Sequence, residues 1–272
     1  MKQVVLRLVG VALAGLALGC PQPHTNSPSA ADAHADAPTH EQAPAHAGAP
    51  HWTYEGEHGP ERWGDLAPEF ALAKEGKEQS PIDLAGAEGA PLPPIEFVHA
   101  PTAAKVVDNG HTIKVALAPG CTAEIGGVVY ELLQFHFHHP SEHTVEGKAY
   151  PAEVHLVHKD PAGGGLGVVG VFFEPGAAHP VLDVLWGAVP AEVGVEGDLG
   201  PFDPGSLLPE DRTYFHYAGS LTTPPCTEGV SWNVYRSPVP ASQEQLDWLA
   251  QRYPLNARPV QPLNARKLQL SQ

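Results

Sequence analysis

From residue 52 onward the chain alternates short apolar runs with turn-forming Gly, Pro and Asn. The runs Lys105–Val107, Thr112–Leu117, Val128–His138, Ala152–His158, Leu166–Phe173 and Val230–Tyr235 are rich in β-branched residues and bounded by turn formers. That punctuation predicts strands. Two helices interrupt them. One starts at Pro180, a favourable first-turn residue, and carries Leu182, Leu185 and Trp186 before Gly187. The other opens at Ser242 with Gln245 placed for a capping box, and carries Leu246 and Leu249 before Pro254. The expected fold is mostly β (α+β), with a large central, mainly antiparallel twisted sheet and short peripheral helices.

The beginning of the chain follows neither pattern. Residues 1–19 read as a signal peptide: Lys2 and Arg7 supply positive charge, and the stretch to Leu18 is otherwise apolar. It falls short of the roughly 20 residues that span a bilayer. Leu16-Ala17-Leu18-Gly19-Cys20 resembles a bacterial lipobox, in which Cys20 is lipidated and becomes the mature N-terminus. A plain secretory signal with an incidental Cys20 is the alternative. Residues 20–51 are rich in Ala, Pro and His and hold almost no large apolar side chain, so they read as a linker. Its histidines, His24, His34, His40 and His46, belong either to a biased tether or to a scavenger of divalent metal. The folded domain is expected over 52–272, exported to the periplasm or cell envelope, with membrane contact only through the lipid anchor.

Composition narrows the partners. Acidic side chains number 31 against 15 basic ones, a formal net charge of −16, which argues against nucleic acid. A hydrophobic share of 42% suits a packed domain. The 16 histidines raise the question of metal. If Cys20 carries lipid, Cys121 and Cys226 are the one remaining pair, and export permits a disulfide without requiring it.

Gln134-Phe135-His136-Phe137-His138-His139 is the most informative stretch. In a strand, residues i and i+2 share a face, so His136 and His138 project together while Phe135 and Phe137 anchor the opposite side. The run Ala152–His158 puts Glu153, His155 and Val157 on one face. Antiparallel pairing of the two runs would bring His155 into a three-imidazole cluster. Three neutral imidazoles suit Zn²⁺ and leave a fourth position open. Gln134 and Glu153 each precede a ligand by two residues and can accept its remaining ring N–H. His139 and His158 have the wrong parity and should miss the metal.

Over nearly all of 52–272 the chain resembles an α-class carbonic anhydrase. The resemblance rests on Gly59-Pro60-Glu61-Arg62-Trp63, Gln79-Ser80-Pro81-Ile82-Asp83, Asn109-Gly110-His111, Gln134–His138 and Ser141-Glu142-His143-Thr144-Val145. It continues through Pro151–His158, Ser220-Leu221-Thr222-Thr223-Pro224-Pro225, Trp232 and Arg258-Pro259-Val260-Gln261-Pro262-Leu263. The resemblance implies zinc-dependent, reversible hydration of CO2 to bicarbonate and a proton, by attack of zinc-bound hydroxide. By position it implies His136, His138 and His155 as zinc ligands, backed by Gln134 and Glu153. Thr222 matches the gatekeeper hydroxyl and Glu142 the carboxylate that orients it. Thr223 matches a substrate-binding group, and Val157, Val168, Leu221, Val230 and Trp232 match the apolar wall for CO2. His111 matches the proton shuttle, with Tyr54 and Asn109 on its water chain. The matched His143 is expected to make a buried structural hydrogen bond. The substrate is therefore a small molecule, and the resemblance leaves room for a homodimer.

Two positions depart from the family pattern. Lys114 stands where the family often has a small polar residue, and its charge is expected to lower the shuttle's pKa or disturb its water chain. Ala73 stands where the disulfide partner of Cys226 is expected, so Cys226 reads as a free thiol, with a Cys121–Cys226 bridge as the alternative. Two rival functions are a binding module that kept the fold without the chemistry and an envelope zinc carrier centred on the linker.

Overall fold

The structure, a computed structural model, describes residues 50–272. The signal peptide, Cys20 and the linker histidines lie outside the described residues. The strands begin with β1 (Glu88–Ala90), β2 (Glu96–Val98), β3 (Thr102–Asp108), β4 (Ile113–Leu117), β5 (Thr122–Ile125), β6 (Val128–His138), β7 (Thr144–Val145) and β8 (Lys148–Ala149). They continue with β9 (Ala152–Lys159), β10 (Leu166–Pro175), β11 (Glu196–Phe202), β12 (Tyr214–Ser220), β13 (Glu228–Tyr235), β14 (Val239–Ala241) and β15 (Gln269–Ser271). The helices are α1 (Trp63–Leu66), α2 (Leu72–Glu75), α3 (Leu182–Ala188) and α4 (Gln243–Arg252).

One sheet runs β1-β15-β12-β13-β10-β9-β6-β4-β3-β11, with β14 on β10 and β5 joining β2 to β6. Its pairs are antiparallel except β1–β15, β10–β13 and β10–β14. The six runs expected to be strands are β3, β4, β6, β9, β10 and β13, with bounds shifted by a few residues. The expected helix at Pro180 begins at Leu182. Ser242 caps α4 through the reciprocal bonds of a capping box with Gln245.

Alternation along the central strands splits the core in two. Phe135, Phe137, Val154, Leu156, Val169, Val171 and Phe173 pack together on one face, with α3 and α4 contributing Leu185, Trp186, Leu246 and Leu249. The opposite-parity residues Val157, Val168, Phe172, Val230, Trp232 and Val234 form a second cluster. All of β9 except Lys159 is buried. A strand covered on both faces is a stiff platform, and the side chains that share a face with Val157 are Glu153 and His155.

Candidate metal centre

The register of β6 against β9 builds the site. His136 lies directly opposite His155, and His138 opposite Glu153. Each imidazole has one nitrogen tied to an oxygen that can only accept, which settles which nitrogen carries the hydrogen. His136 Nδ1–H donates to Gln134 Oε1 at 2.9 Å, and His138 Nδ1–H donates to the Asn256 carbonyl at 2.7 Å. His155 Nε2–H donates to Glu153 Oε1 at 2.9 Å. The lone pairs left over are on His136 Nε2, His138 Nε2 and His155 Nδ1. Each residue offers one ring nitrogen, and the three lie within 4.8 Å of one another.

His138 Nε2 is buried without a hydrogen-bond partner. A buried acceptor facing two others suits a Lewis acid, and three imidazoles are a zinc-type donor set. Burial pushes His136 well below its ordinary pKa, and the neighbouring His138, His155 and Lys114 push the same way. Burial lowers His138 too, against the pull of Glu142. Both shifts favour the neutral imidazole that a metal ligand requires. At His155 the desolvation cost is overcome by the charge and hydrogen bond of Glu153, so its basicity is raised. That arrangement strengthens Nδ1 as a donor.

Glu153 is fully buried and saturated. Oε1 accepts from His155 and from His143 Nδ1 at 2.8 Å, while Oε2 accepts the Glu142 and His143 backbone N–H groups, both at 2.9 Å. Burial alone would raise its pKa; the two imidazoles hold it well below the usual carboxylate range. His143 Nε2 meets Tyr217 Oη at 2.7 Å, and Tyr217 Oη meets Ser80 Oγ at 2.9 Å. Ser80 Oγ in turn accepts the Ser220 backbone N–H at 3.0 Å, which ties the start of the Leu221–Cys226 loop to the ligand network. His143 thus makes the buried structural bond expected of it. The His143, Glu153 and His155 ligand atoms also cluster, but they are donors and acceptors for one another.

Glu142 Oε1 accepts the Arg258 backbone N–H at 2.9 Å. Its Oε2 lies 3.5 Å from His138 Nε2 and 3.7 Å from His155 Nδ1, so it faces the ligand nitrogens. Among the described residues no hydrogen bond joins Glu142 to Thr222, which is buried in the loop after β12. The five wall residues come together: Val157, Val168, Val230 and Trp232 are buried in one cluster, with Leu221 packed against it.

His111 stacks on Trp52, ring centroids 3.9 Å apart and 14° from parallel. Burial lowers its pKa, with a further push from His51. Lys114 is not among the causes. It sits directly opposite His136 across the β4–β6 pair, so its charge acts on the metal side. Asn109 Oδ1 accepts the backbone N–H groups of His111 and Thr112, both at 2.9 Å, and so shapes the turn that presents His111. Tyr54 is packed edge-on against Trp52 and Trp63. Thr223 holds the loop through its carbonyl, which accepts Cys226 N–H at 2.9 Å.

Three participants, Asn256, Gly170 and Trp52, had no sequence signal of their own, and Arg258, in a matched block, had no role assigned from sequence. Asn256 supplies the His138 acceptor from a backbone carbonyl, and its side-chain N–H groups donate to the His111 and Phe137 carbonyls at 3.0 Å. Gly170 leaves room for Glu153. Arg258 donates to Gln79 Oε1 and the Ser80 carbonyl at 2.8 Å while its backbone holds Glu142. Trp52 carries the His111 stack. Cys121 and Cys226 are separate buried thiols, and burial pushes Cys226 up to about 11.

Comparison with known proteins agrees with this geometry. Residues 58–272 match the family described as eukaryotic-type carbonic anhydrase. A carbonic anhydrase of Nostoc sp. is 43% identical over 228 residues, covering 79% of this chain and 84% of that protein. The solved α-carbonic anhydrase of Thermovibrio ammonificans, in complex with the inhibitor sulfanilamide, is 49% identical with a TM-score of 0.79, covering 83% of this chain and all of that one. Dioscorin complexed with ascorbate is 33% identical with a TM-score of 0.75, covering 81% and 97%.

Proposed function

The chain belongs to the eukaryotic-type carbonic anhydrase family and is a carbonic anhydrase, and on that premise we propose that it hydrates CO2 with zinc held by His136, His138 and His155 and with His111 shuttling the proton. The observation that carries this reading is the set of three ring nitrogens, each turned inward by a partner on its other nitrogen. When bound, zinc supplies a Lewis acid that makes water nucleophilic near neutral pH, the role for which carbonic anhydrases are the standard case.

The protein's own groups do the rest. Val157, Val168, Leu221, Val230 and Trp232 give uncharged CO2 an apolar wall to lie on. Glu142 accepts a hydrogen bond from the Thr222 hydroxyl when that side chain turns toward it. Thr222 then has its lone pairs free to accept a proton-bearing group at the reaction centre. The Thr223 hydroxyl and the Thr222 N–H orient substrate oxygens. His111, an imidazole whose pKa burial lowers, takes the released proton and passes it to buffer. Tyr54 and Asn109 border the water path between them.

Stopped-flow CO2 hydration tests the reading. Activity should vanish with chelator, return with Zn²⁺, and be absent in His138→Ala. Chelator-insensitive hydration would overturn it.

Export and lipidation at Cys20 complete the proposal, supported by Lys2, Arg7 and the apolar stretch ending in Gly19-Cys20. Among the described residues, no helix is long and apolar enough to cross a membrane. Radiolabelled palmitate should label the wild-type protein and not Cys20→Ala; equal labelling rejects the anchor.

A further inference from the structure

Lys114 is a cation on the face of the sheet that carries the metal ligands. It pairs directly with His136 across β4 and β6, and directly opposed residues of an antiparallel pair project to the same side with Cβ atoms about 5 Å apart. Its neighbours along β4, Ile113 and Val115, point the other way and are fully buried, while Lys114 is half-buried. Among the described residues it has neither an ion pair nor a side-chain hydrogen bond. The other cations nearby are committed. Lys105 pairs with Glu196 at 3.9 Å, and the Arg258 guanidinium is held by Gln79 and the Ser80 and Ala73 carbonyls. Of the site's carboxylates, Glu153 accepts four hydrogen bonds, whereas Glu142 is held through Oε1 by the Arg258 N–H and turns Oε2, which has no hydrogen-bond partner, toward the ligand nitrogens.

We propose that Lys114 sets the anion affinity of the metal cavity, strengthening the hold on bicarbonate and small inorganic anions without helping to capture CO2. The inference rests on the zinc-site reading above. CO2 is uncharged and gains nothing from an ammonium group beside the ligands, whereas bicarbonate is attracted to it. The charge therefore deepens the product-bound state, so Lys114 governs product retention. At the separation of one cross-strand neighbour, through a half-exposed path, the effect should be on the order of three- to tenfold in a dissociation constant.

The test uses the full chain loaded with Co²⁺ in place of zinc and titrated with sodium thiocyanate at constant pH and ionic strength, followed by visible absorption. Lys114→Gln should weaken thiocyanate binding by about three- to tenfold and Lys114→Glu by more, while Lys114→Arg stays within about twofold of wild type. Raising the ionic strength should narrow the gap between wild type and Lys114→Gln. In CO2 hydration, Lys114→Gln should show weaker product inhibition by bicarbonate. Equal thiocyanate affinities in wild type, Gln and Glu forms overturn the proposal, as does an Arg form as weak as the Gln form. A cobalt spectrum that survives His136→Ala and His138→Ala would instead remove the zinc-site reading beneath it.

Discussion

A methyl group at position 170 would sit 2.9 Å from Glu153 Oε1 and 3.3 Å from the Val234 methyls. The first is closer than real Cβ atoms come and the second is tighter than most, and Glu153 is fully buried and held by four hydrogen bonds. Gly170→Ala should therefore displace the carboxylate that orients His155, lowering zinc affinity by about 10- to 100-fold, measured by competition with a chromophoric chelator. Unchanged affinity would show that Glu153 moves without disturbing the ligand. His111 invites a different measurement. His111→Ala should lower kcat by at least about tenfold in weak buffer, leave kcat/KM for CO2 unchanged, and be rescued by added imidazole. A loss in kcat/KM instead would mean that the substitution damages the site rather than the proton exit.

At the scale of elements, β6 and β9 are short-range partners whose register alone assembles two of the three ligands into one row. The alternation that places Phe135 and Phe137 in the opposite core is local and strong, so these strands are readable from side-chain parity. The Gly- and Pro-bearing β11 (Glu196–Phe202) and the aromatic β12 (Tyr214–Ser220) escape that reading, because neither shows clean alternation of apolar and polar residues. Yet β12 matters to the site, since Ser220 ties its end to Ser80. The helix caps separate stability from chemistry. Ser242→Ala removes the bond from Gln245 N–H to Ser242 Oγ, at 3.2 Å, and should cost about 1 kcal/mol in urea unfolding. Turnover should be unaltered, because α4 packs on the core face away from the ligands.

For the whole molecule, stability and pH are linked through a histidine outside the metal site. His158 is fully buried on the far side of β9, and burial, aided by the nearby His99, pushes its pKa down to about 4. The unfolded chain, near the ordinary value of about 6.5, binds this proton more readily than the folded one. The stabilisation is thus fully present above about pH 6.5 and is lost as pH falls toward 4, amounting to about 3 kcal/mol in all. Urea midpoints of chelated wild-type protein should fall across that window, and His158→Phe should flatten the fall. An equal slope in both proteins would assign the acid sensitivity elsewhere.

Sequence by itself determined the parts of this protein that local spacing encodes: the strand face shared by His136 and His138, the aromatic pair behind it, the α4 capping box, and the family motifs in their order. Tertiary structure decided what depends on residues far apart in the chain. The ring of His138 is oriented by a backbone carbonyl at Asn256, Glu153 fits because Gly170 has no side chain, and Lys114 lies directly opposite His136 across β4 and β6. The physical reason is common to all three. Periodicity reports neighbours two or four residues away, whereas a carbonyl acceptor, an absent Cβ and a cross-strand register leave no mark on side-chain spacing until the sheet has formed.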